Sequence, residues 1–359
     1  MKEIATVILA AGKGKRMKSR QVKVLHPLMG VPVLSFPIEV AKKVLSRRII
    51  VVVGHQGKLV RKRFEGEGLV FAEQKEQLGT GHAVLCAREA LKDFKGDILI
   101  LCGDVPLITD KTIQRLIEVH QKECSRVTVL TTEVENPKGY GRIIQDGRGN
   151  LLRIVEEKDA TDQEREVKEV NTGIYCMDAD YAFYALQLVD KNNTQGEYYL
   201  TDVIDIASKE KEKARGFLTE DPSEVMGIND RADLARVSGV IKEEILRRLM
   251  IEGVTISDPL TTYIERNVTI GKETTIYPNN SIKSGSAIGE ECTIEQGCTI
   301  KNSKIGNRVV VKSCSVIYDS VIYDDATIGP FIYLGPEAEV EAKAKTGSFI
   351  EVKKTRIER

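Results

Sequence analysis

The sequence predicts an α/β protein in two parts, a mostly parallel sheet covered by helices and then a parallel β-helix of hexapeptide repeats. Up to about residue 228, short apolar strands alternate with helical patterns. In the second part, isoleucine recurs at every sixth position from Ile270 to Ile300, and after one slip of register the six-residue step resumes at Ile328, Leu334 and Val340. The length of 359 residues agrees with a division, because single cores stop growing beyond about 250–300 residues.

The first part is predicted from its strand and helix candidates. The strand candidates are ATVILAA, RIIVVVG, GLVFAEQ, DILILCGD, RVTVLTTEV and TGIYCM, and the helical patterns include FPIEVAKKVLS, TGHAVLCAREALKDF and DKTIQRLIEVHQKE. In sheets of this class, ligands bind beyond the carboxyl ends of the strands. The segments LAAGKGKRM and LCGDVPLI both leave a strand at that end, so we expect them on the same edge of the sheet.

The second part is predicted from a period that an α-helix cannot produce. Residues 229–252 form a helical pattern that connects the first part, residues 1–228, to the repeats in residues 253–359. Three hexapeptides close one triangular coil with their isoleucines inside, so about ninety residues form roughly five coils. The repeat isoleucines are Ile270, Ile276, Ile282, Ile288, Ile294 and Ile300.

Composition excludes several classes of protein. Lys plus Arg and Asp plus Glu both number 53, so no bulk attraction to nucleic acid or to an anionic membrane is implied. The seven cysteines are odd in number and show no Cys-x-x-Cys spacing, which favours a reduced, cytoplasmic chain without a thiolate metal site. The N-terminal apolar run is interrupted by glycines, so neither a signal peptide nor a membrane span is expected.

The loop LAAGKGKRM, residues 9–17, has the composition of a phosphate-binding loop but matches neither familiar type. A Walker A loop requires four residues between its glycines, followed by Gly-Lys-Ser/Thr. A dinucleotide-binding loop requires a third glycine that is missing after Gly12 and Gly14. By itself the loop is therefore either a nucleotide loop of another kind or a basic turn without a ligand.

Nine motifs in order resolve this ambiguity: LAAGKGKRM, KVLHPLMGVPVL, EQLGTGHAV, GDVPLI, GYGRII, IVEEKDAT, VNTGIY, NTQGEYYLTDVI and GIND. In order and approximate spacing they resemble the bacterial N-acetylglucosamine-1-phosphate uridylyltransferases that carry a glucosamine-1-phosphate acetyltransferase as their second domain. The resemblance implies a Rossmann-like sugar nucleotidyltransferase domain and a left-handed β-helix that forms a homotrimer.

The implied reaction is the transfer of UMP from UTP to N-acetylglucosamine 1-phosphate, with Mg²⁺ as cofactor. Because the attacking phosphate oxygen is already an anion, catalysis reduces to alignment and charge neutralisation. The resemblance assigns catalytic contacts with the phosphates to Arg16 and Lys23, and Mg²⁺ coordination to Asp104 and Asn229. Taken alone, Asp104 is typical of a turn after a strand, and Asn229 of a helix cap.

The resemblance also implies contacts with the rest of both substrates. The nucleotide is expected at Leu9, Ala10, Ala11, Gly12, Gln74, Gly79 and Thr80. The sugar is expected at Gly141, Glu156 and Asn171, although Glu156 lies in a charge-rich run that is otherwise typical of a solvated loop.

Two departures from the family qualify the resemblance. Lys15 stands where the family usually has a small hydroxyl residue, and it either strengthens triphosphate binding or points to solvent. The family's acetyl transfer uses a late histidine as a general base. The four histidines here are His26, His55, His82 and His120, all in the first part, and the chain ends before that position. The sequence therefore predicts no acetyltransferase activity.

Three other functions remain as alternatives. The chain could use another sugar 1-phosphate, such as glucose 1-phosphate, with UTP or dTTP. A non-catalytic subunit that senses sugar nucleotides is disfavoured because Arg16, Lys23, Asp104 and Asn229 are all present. A hexapeptide acyltransferase is disfavoured because the late histidine is missing.

Overall fold

The computed structural model describes residues 2–147 and 149–358. The chain divides into two compact units. Unit 1 comprises Met1–His26 and Pro32–Leu234, and unit 2 comprises Pro27–Val31 and Ala235–Arg359.

Unit 1 is built on one nine-stranded sheet. Its strands are β1 (Ile4–Ala10), β4 (Arg48–Val53), β5 (Val70–Glu73), β6 (Asp97–Cys102), β7 (Val127–Glu133), β8 (Arg142–Gln145), β9 (Leu151–Val155), β10 (Glu169–Asp178) and β11 (Ala214–Leu218). A separate two-stranded pair consists of β2 (Pro27–Leu28), which belongs to unit 2, and β3 (Val31–Pro32), which spans the boundary between the two units along the chain. The main path runs β11-β7-β10-β6-β1-β4-β5, and β8 joins β9 to β10. On this path β10 is antiparallel to both of its neighbours, whereas β1, β4, β5 and β6 run parallel to one another.

Helices cover both faces of this sheet. Alternate side chains of each strand point to opposite faces, and the apolar side chains on each face are buried beneath helices. In β1, Ala5 and Val7 belong to one hydrophobic cluster, whereas Ile8 and Ala10 belong to the other. The helices of unit 1 are α1 (Ser35–Lys43), α2 (Gly57–Arg63), α3 (Thr80–Leu85), α4 (Asp110–Lys122), α5 (Asp162–Arg165), α6 (Ala179–Leu188) and α7 (Asp202–Lys209). The long helix α8 (Arg231–Ile251) begins in unit 1 and has most of its length in unit 2. Short 3₁₀ helices occur at Lys15–Met17, Lys23–Leu25, Glu89–Leu91 and Pro222–Val225.

Unit 2 contains three parallel sheets that share one chain path. The strands are β12 (Thr255–Ile256), β13 (Tyr263–Ile264), β14 (Thr269–Ile270), β15 (Thr275–Ile276), β16 (Ser281–Ile282), β17 (Ala287–Ile288), β18 (Thr293–Ile294), β19 (Thr299–Lys301), β20 (Lys304–Ile305), β21 (Val310–Val311), β22 (Val316–Tyr318), β23 (Val321–Ile322), β24 (Thr327–Ile328), β25 (Tyr333–Leu334), β26 (Glu339–Val340), β27 (Glu351–Val352) and β28 (Arg356–Ile357). From β12 to β23, each strand pairs with the one three places further along the chain, whereas β25 and β26 pair with β27 and β28. This is the topology of a triangular parallel coil, consistent with a left-handed β-helix.

The six-residue period determines what fills this coil. Ile276 pairs with Ile294, and Ile282 pairs with Ile300, one coil of eighteen residues apart. All four side chains are fully buried. One shorter step follows Ile300, so the next coil has seventeen residues and Ile294 pairs with Val311. The stacked isoleucines form the core of the coil.

The predicted fold class is confirmed, including helices on both faces of a mostly parallel sheet. One local prediction was wrong, because the helical pattern over residues 80–94 forms α3 and then a separate 3₁₀ turn at Glu89–Leu91. Ala87, Leu91 and Phe94 are buried nevertheless, so the apolar pattern identified the inner face and not the type of turn. Among the described residues, no helix combines the length and the apolar character needed to cross a membrane.

Candidate active site

The loop after β1 is shaped by a glycine that tolerates no side chain. Gly14 has a φ of +57°, in the left-handed region that glycine favours. A Cβ added there would lie 2.8 Å from the Cβ of Lys23. The loop therefore packs directly against the 3₁₀ turn that carries Lys23. On the neighbouring strand, the Gly103 amide donates a 2.9 Å hydrogen bond to the Leu9 carbonyl, which joins the ends of β1 and β6.

Four residues predicted to act on the phosphates form two pairs at this edge. The Lys23 ammonium forms an ion pair with the Asp104 carboxylate. The Arg16 guanidinium donates a 2.8 Å hydrogen bond to the side-chain oxygen of Asn229. The amide of Ile228 donates a 2.8 Å hydrogen bond to the backbone oxygen of Asp104, which holds the two pairs next to each other. Two cations and two oxygen donors thus meet at one place on the edge.

The donor set at this edge fits a divalent cation that shares its ligands with phosphates. No cluster of three or more His, Cys, Asp or Glu side chains suited to a metal occurs within residues 2–147 and 149–358. Asp104 and Asn229 instead supply one carboxylate and one amide oxygen. Hard divalent cations bind in this way at phosphate-transfer sites, with substrate oxygens and waters completing the coordination. The protein therefore supplies only part of the coordination shell at this edge.

The segment predicted to contact uracil is held in place by hydrogen bonds. The buried Gln74 amide nitrogen lies 3.0 Å from the Gly79 carbonyl and 3.1 Å from Nδ1 of His82. Gly79 has a φ of +111°, and an added Cβ would lie 2.4 Å from the backbone oxygen of Tyr198. The Thr80 hydroxyl accepts a 3.1 Å hydrogen bond from the Leu200 amide. His82 therefore helps to orient the Gln74 side chain.

The three residues predicted to hold the sugar lie together: Gly141 directly precedes β8, Glu156 directly follows β9, and Asn171 lies on β10. A Cβ on Gly141 would lie 3.5 Å from Oε1 of Glu156 and 3.6 Å from the Cβ of Asn171. The Asn171 amide donates to the Gly141 carbonyl at 2.8 Å. Burial raises the pKa of the Glu156 carboxyl, and Thr201, which donates a 3.3 Å hydrogen bond to it, partly offsets this rise. An added Cβ would also lie 3.0 Å from the Ile154 side chain, so Gly141 lets this backbone pack closely beside the Glu156 and Asn171 side chains.

Two residues beside the sugar group were missed by the sequence analysis. Thr201 is the hydrogen-bond donor to Glu156, and Asp202 begins α7 directly after it. Burial, together with repulsion from Asp190 and Asp205, raises the pKa of Asp202 to about 6. The motif QGEYYLTD contains both residues, but the sequence does not show that they lie near Glu156. That proximity arises because α7 packs against β9.

Cys102 lies between the phosphate and sugar groups, at the end of β6. Its Sγ is 3.4 Å from the Gly173 carbonyl oxygen, and a Cβ on Gly173 would lie 2.8 Å from the sulfur. Burial raises the pKa of this thiol to about 12. The thiolate is therefore not populated near neutral pH, and Cys102 acts as a packing residue rather than a nucleophile.

The predicted site residues thus occupy three groups at the carboxyl edge of one sheet. The phosphate group contains Arg16, Lys23, Asp104 and Asn229. The segments that contain Gln74 and Glu156 directly follow β5 and β9 of the same sheet. The roles of the individual residues in substrate binding remain predictions.

Comparison with known proteins finds two family models and several relatives that resemble this chain. The family model described as nucleotidyl transferase matches residues 5–223, and the model described as GMPPB C-terminal domain matches residues 264–357. The bifunctional protein GlmU of Geotalea uraniireducens is 50% identical over 355 residues, which span 99% of this chain and 78% of that protein. The bifunctional protein GlmU of Acetivibrio thermocellus is 43% identical over 357 residues, spanning 99% of this chain and 77% of that protein.

A solved structure shows the same architecture at low sequence identity. The crystal structure of a UDP-glucose pyrophosphorylase complexed with UDP-glucose matches 68% of this chain and all of its own, with a TM-score of 0.56. The sequences are 17% identical, so this likeness concerns the fold alone.

Proposed function

The chain belongs to the family of the bifunctional protein GlmU, and we propose that the paired cations and oxygen donors of unit 1 catalyse uridylyl transfer to N-acetylglucosamine 1-phosphate. The chain is a nucleotidyltransferase, and the products are UDP-N-acetylglucosamine and pyrophosphate. The observation that carries the residue assignment is the meeting of Lys23 with Asp104 and of Arg16 with Asn229 at one edge of the sheet.

The chemistry requires positioning and charge neutralisation more than proton transfer. A phosphate oxygen of the sugar phosphate attacks the α-phosphorus of UTP, and the bond to the β-phosphate oxygen breaks to release pyrophosphate. Because the nucleophile is already an anion, no general base is needed. Lys23 neutralises charge at the α-phosphate, and Arg16 stabilises the charge that accumulates on the departing pyrophosphate.

Enzymes of this family use a divalent metal, and we assign it as Mg²⁺ held by Asp104 and Asn229. When bound, Mg²⁺ neutralises phosphate charge and orients the triphosphate. The oxygens that would hold it are the ones that Lys23 and Arg16 contact in this structure. The two cations and the two metal ligands therefore belong to one electrostatic unit.

The acetamide and hydroxyl groups of the sugar are assigned to Gly141, Glu156 and Asn171. A site built to hydrogen-bond a polar group rejects analogues that leave its own polar atoms unpaired. Support comes from the half-buried Glu156 carboxylate, whose charged form lacks the solvation that a surface residue would have. Glucose 1-phosphate, which lacks the acetamide, is the alternative substrate to be compared.

We assign assembly rather than acetyl transfer to unit 2, with a homotrimer as the expected state. The four histidines are His26, His55, His82 and His120, so residues 253–359 supply no imidazole to accept the proton of an attacking amine. All seven cysteines are unpaired in the described chain, which agrees with the expected reducing, cytoplasmic compartment.

The test is pyrophosphate release from UTP and each of three sugars: N-acetylglucosamine 1-phosphate, glucosamine 1-phosphate and glucose 1-phosphate. We expect release to be fastest with the N-acetylated sugar, and to stop with EDTA and return with added Mg²⁺. Arg16→Ala should lower kcat in a folded protein, with Lys122→Ala as an exposed control. Faster release with glucose 1-phosphate would refute the sugar assignment, and metal-independent release would refute the role of Asp104 and Asn229.

Two measurements test the roles assigned to unit 2. Size-exclusion chromatography with light scattering tests the homotrimer, and an acetyl-CoA consumption assay tests the expected absence of acetyl transfer.

A further inference from the structure

On the surface that continues outward from the nucleotide loop, all but one of the charged side chains that line two clefts are cationic. Two open clefts, of about 730 and 780 Å³, share Lys13, His55 and Gln56 as lining residues. The clefts are lined by seven cationic side chains that we call the basic collar: Lys13, Lys15, Lys18, Arg20, Lys58, Arg61 and Lys75. Within the described chain, Glu73 is the one carboxylate that lines either cleft.

The collar contrasts with the rest of the protein. The whole chain has a formal net charge of zero, with 53 positive and 53 negative side chains. In the part of the chain that the structure describes, none of the seven collar cations has an ion-pair partner, although Arg61 lies over the Phe71 ring at 5.3 Å. Repulsion among unpaired like charges destabilises a folded surface, so the collar is not explained by folding.

The collar is one continuous surface because two loops are joined beneath it. The Gln56 amide donates a 3.0 Å hydrogen bond to the backbone oxygen of Arg20, which links the segment after β4 to the segment after β1. One cleft is lined by Gln74 and Gln77, next to the predicted base site, and the other by Gly14 of the nucleotide loop. The collar therefore borders the candidate active site, and this hydrogen bond joins two of the backbone segments that carry it.

We propose that the basic collar captures the triphosphate of UTP from solution and guides it to Arg16 and Lys23. This inference rests on the proposed uridylyl transfer. A concave surface of one sign focuses the electric field and raises the association rate of an oppositely charged ligand by about 10–10³-fold at low salt. The collar also gives Lys15 a role, because a cation in solvent at the mouth of the site contributes to capture without touching the bound substrate.

The test compares two variants that remove the same charge at different places. Lys18→Gln with Arg20→Gln removes two collar charges, and Lys122→Gln with Lys211→Gln removes two exposed charges elsewhere in unit 1. At about 10 mM ionic strength we expect the collar variant to lower kcat/KM for UTP by roughly 3- to 10-fold with kcat unchanged, and the difference to disappear near about 0.5 M salt. The control variant should match the wild type at both salt concentrations. The charge-conserving Lys18→Arg with Arg20→Lys should have the wild-type kcat/KM for UTP.

Equal kcat/KM for the collar and control variants at low salt would overturn the proposal, as would a loss that persists at high salt. Absence of pyrophosphate release from the wild type would refute the proposed function instead. Calorimetric binding of inorganic triphosphate then tests the collar without turnover. Weaker binding by the collar variant at low salt supports capture, and equal binding refutes it.

Discussion

Gly14→Ala should destabilise unit 1 and disable Lys23 together, whereas Gly12→Ala should do neither. An alanine in the left-handed region costs about 1–2 kcal/mol. The new methyl would also lie 2.8 Å from the Cβ of Lys23, whereas carbon atoms pack best at about 3.5–4.0 Å. Because a Cβ cannot move without its backbone, the turn that carries Lys23 must shift, which adds about 1 kcal/mol or more. The sum is about 2–3 kcal/mol.

Differential scanning calorimetry and steady-state kinetics check this prediction. For a unit of this size, about 1 kcal/mol corresponds to 2–4 °C in Tm, so Gly14→Ala should lower Tm by about 4–12 °C. It should also lower kcat, because Lys23 moves relative to Asp104. Gly12 is the matched control, since its φ is not left-handed and an added Cβ meets no atom of the described chain within 4 Å. Equal Tm values for the two variants would refute the steric argument, and a raised KM for UTP in Gly12→Ala alone would locate the nucleotide backbone contact there.

Two further predictions concern buried carboxyl groups. Because the pKa of Asp202 is raised from 3.8 to about 6, its stabilising contribution is complete below pH about 4 and is lost as pH rises through about 6. Asp202→Asn should therefore raise Tm relative to the wild type at pH 7.5 but not at pH 4, and an equal offset at both pH values would contradict this. Asp97→Ala removes the fully buried partner of His120 and Lys2, which lie 3.6 and 3.2 Å away, so it should cost about 3 kcal/mol in chemical unfolding. Asp180→Ala, which breaks an exposed pair, should cost under about 1 kcal/mol, and similar costs for both would show that the Asp97 cluster is not held by its charge.

The fold followed from the sequence because its evidence is local and repetitive. Three patterns in the sequence indicate which side chains are buried: alternating apolar strands, amphipathic helices and a six-residue isoleucine period. Burial of those side chains drives the folding of both units. The type of turn was less certain, as residues 80–94 show, because a helix and a 3₁₀ turn can bury the same residues.

The sequence by itself determined the fold class, the repeat and the order of the motifs. Only the tertiary structure decided which polar side chains meet: Lys23 with Asp104, 81 residues apart, and Arg16 with Asn229, 213 residues apart. It also decided that Thr201 donates to Glu156 and that the collar cations share one surface. The physical reason is that electrostatic energies and pKa values depend on distance and burial. Those quantities exist only after the sheet has brought distant loops to one edge.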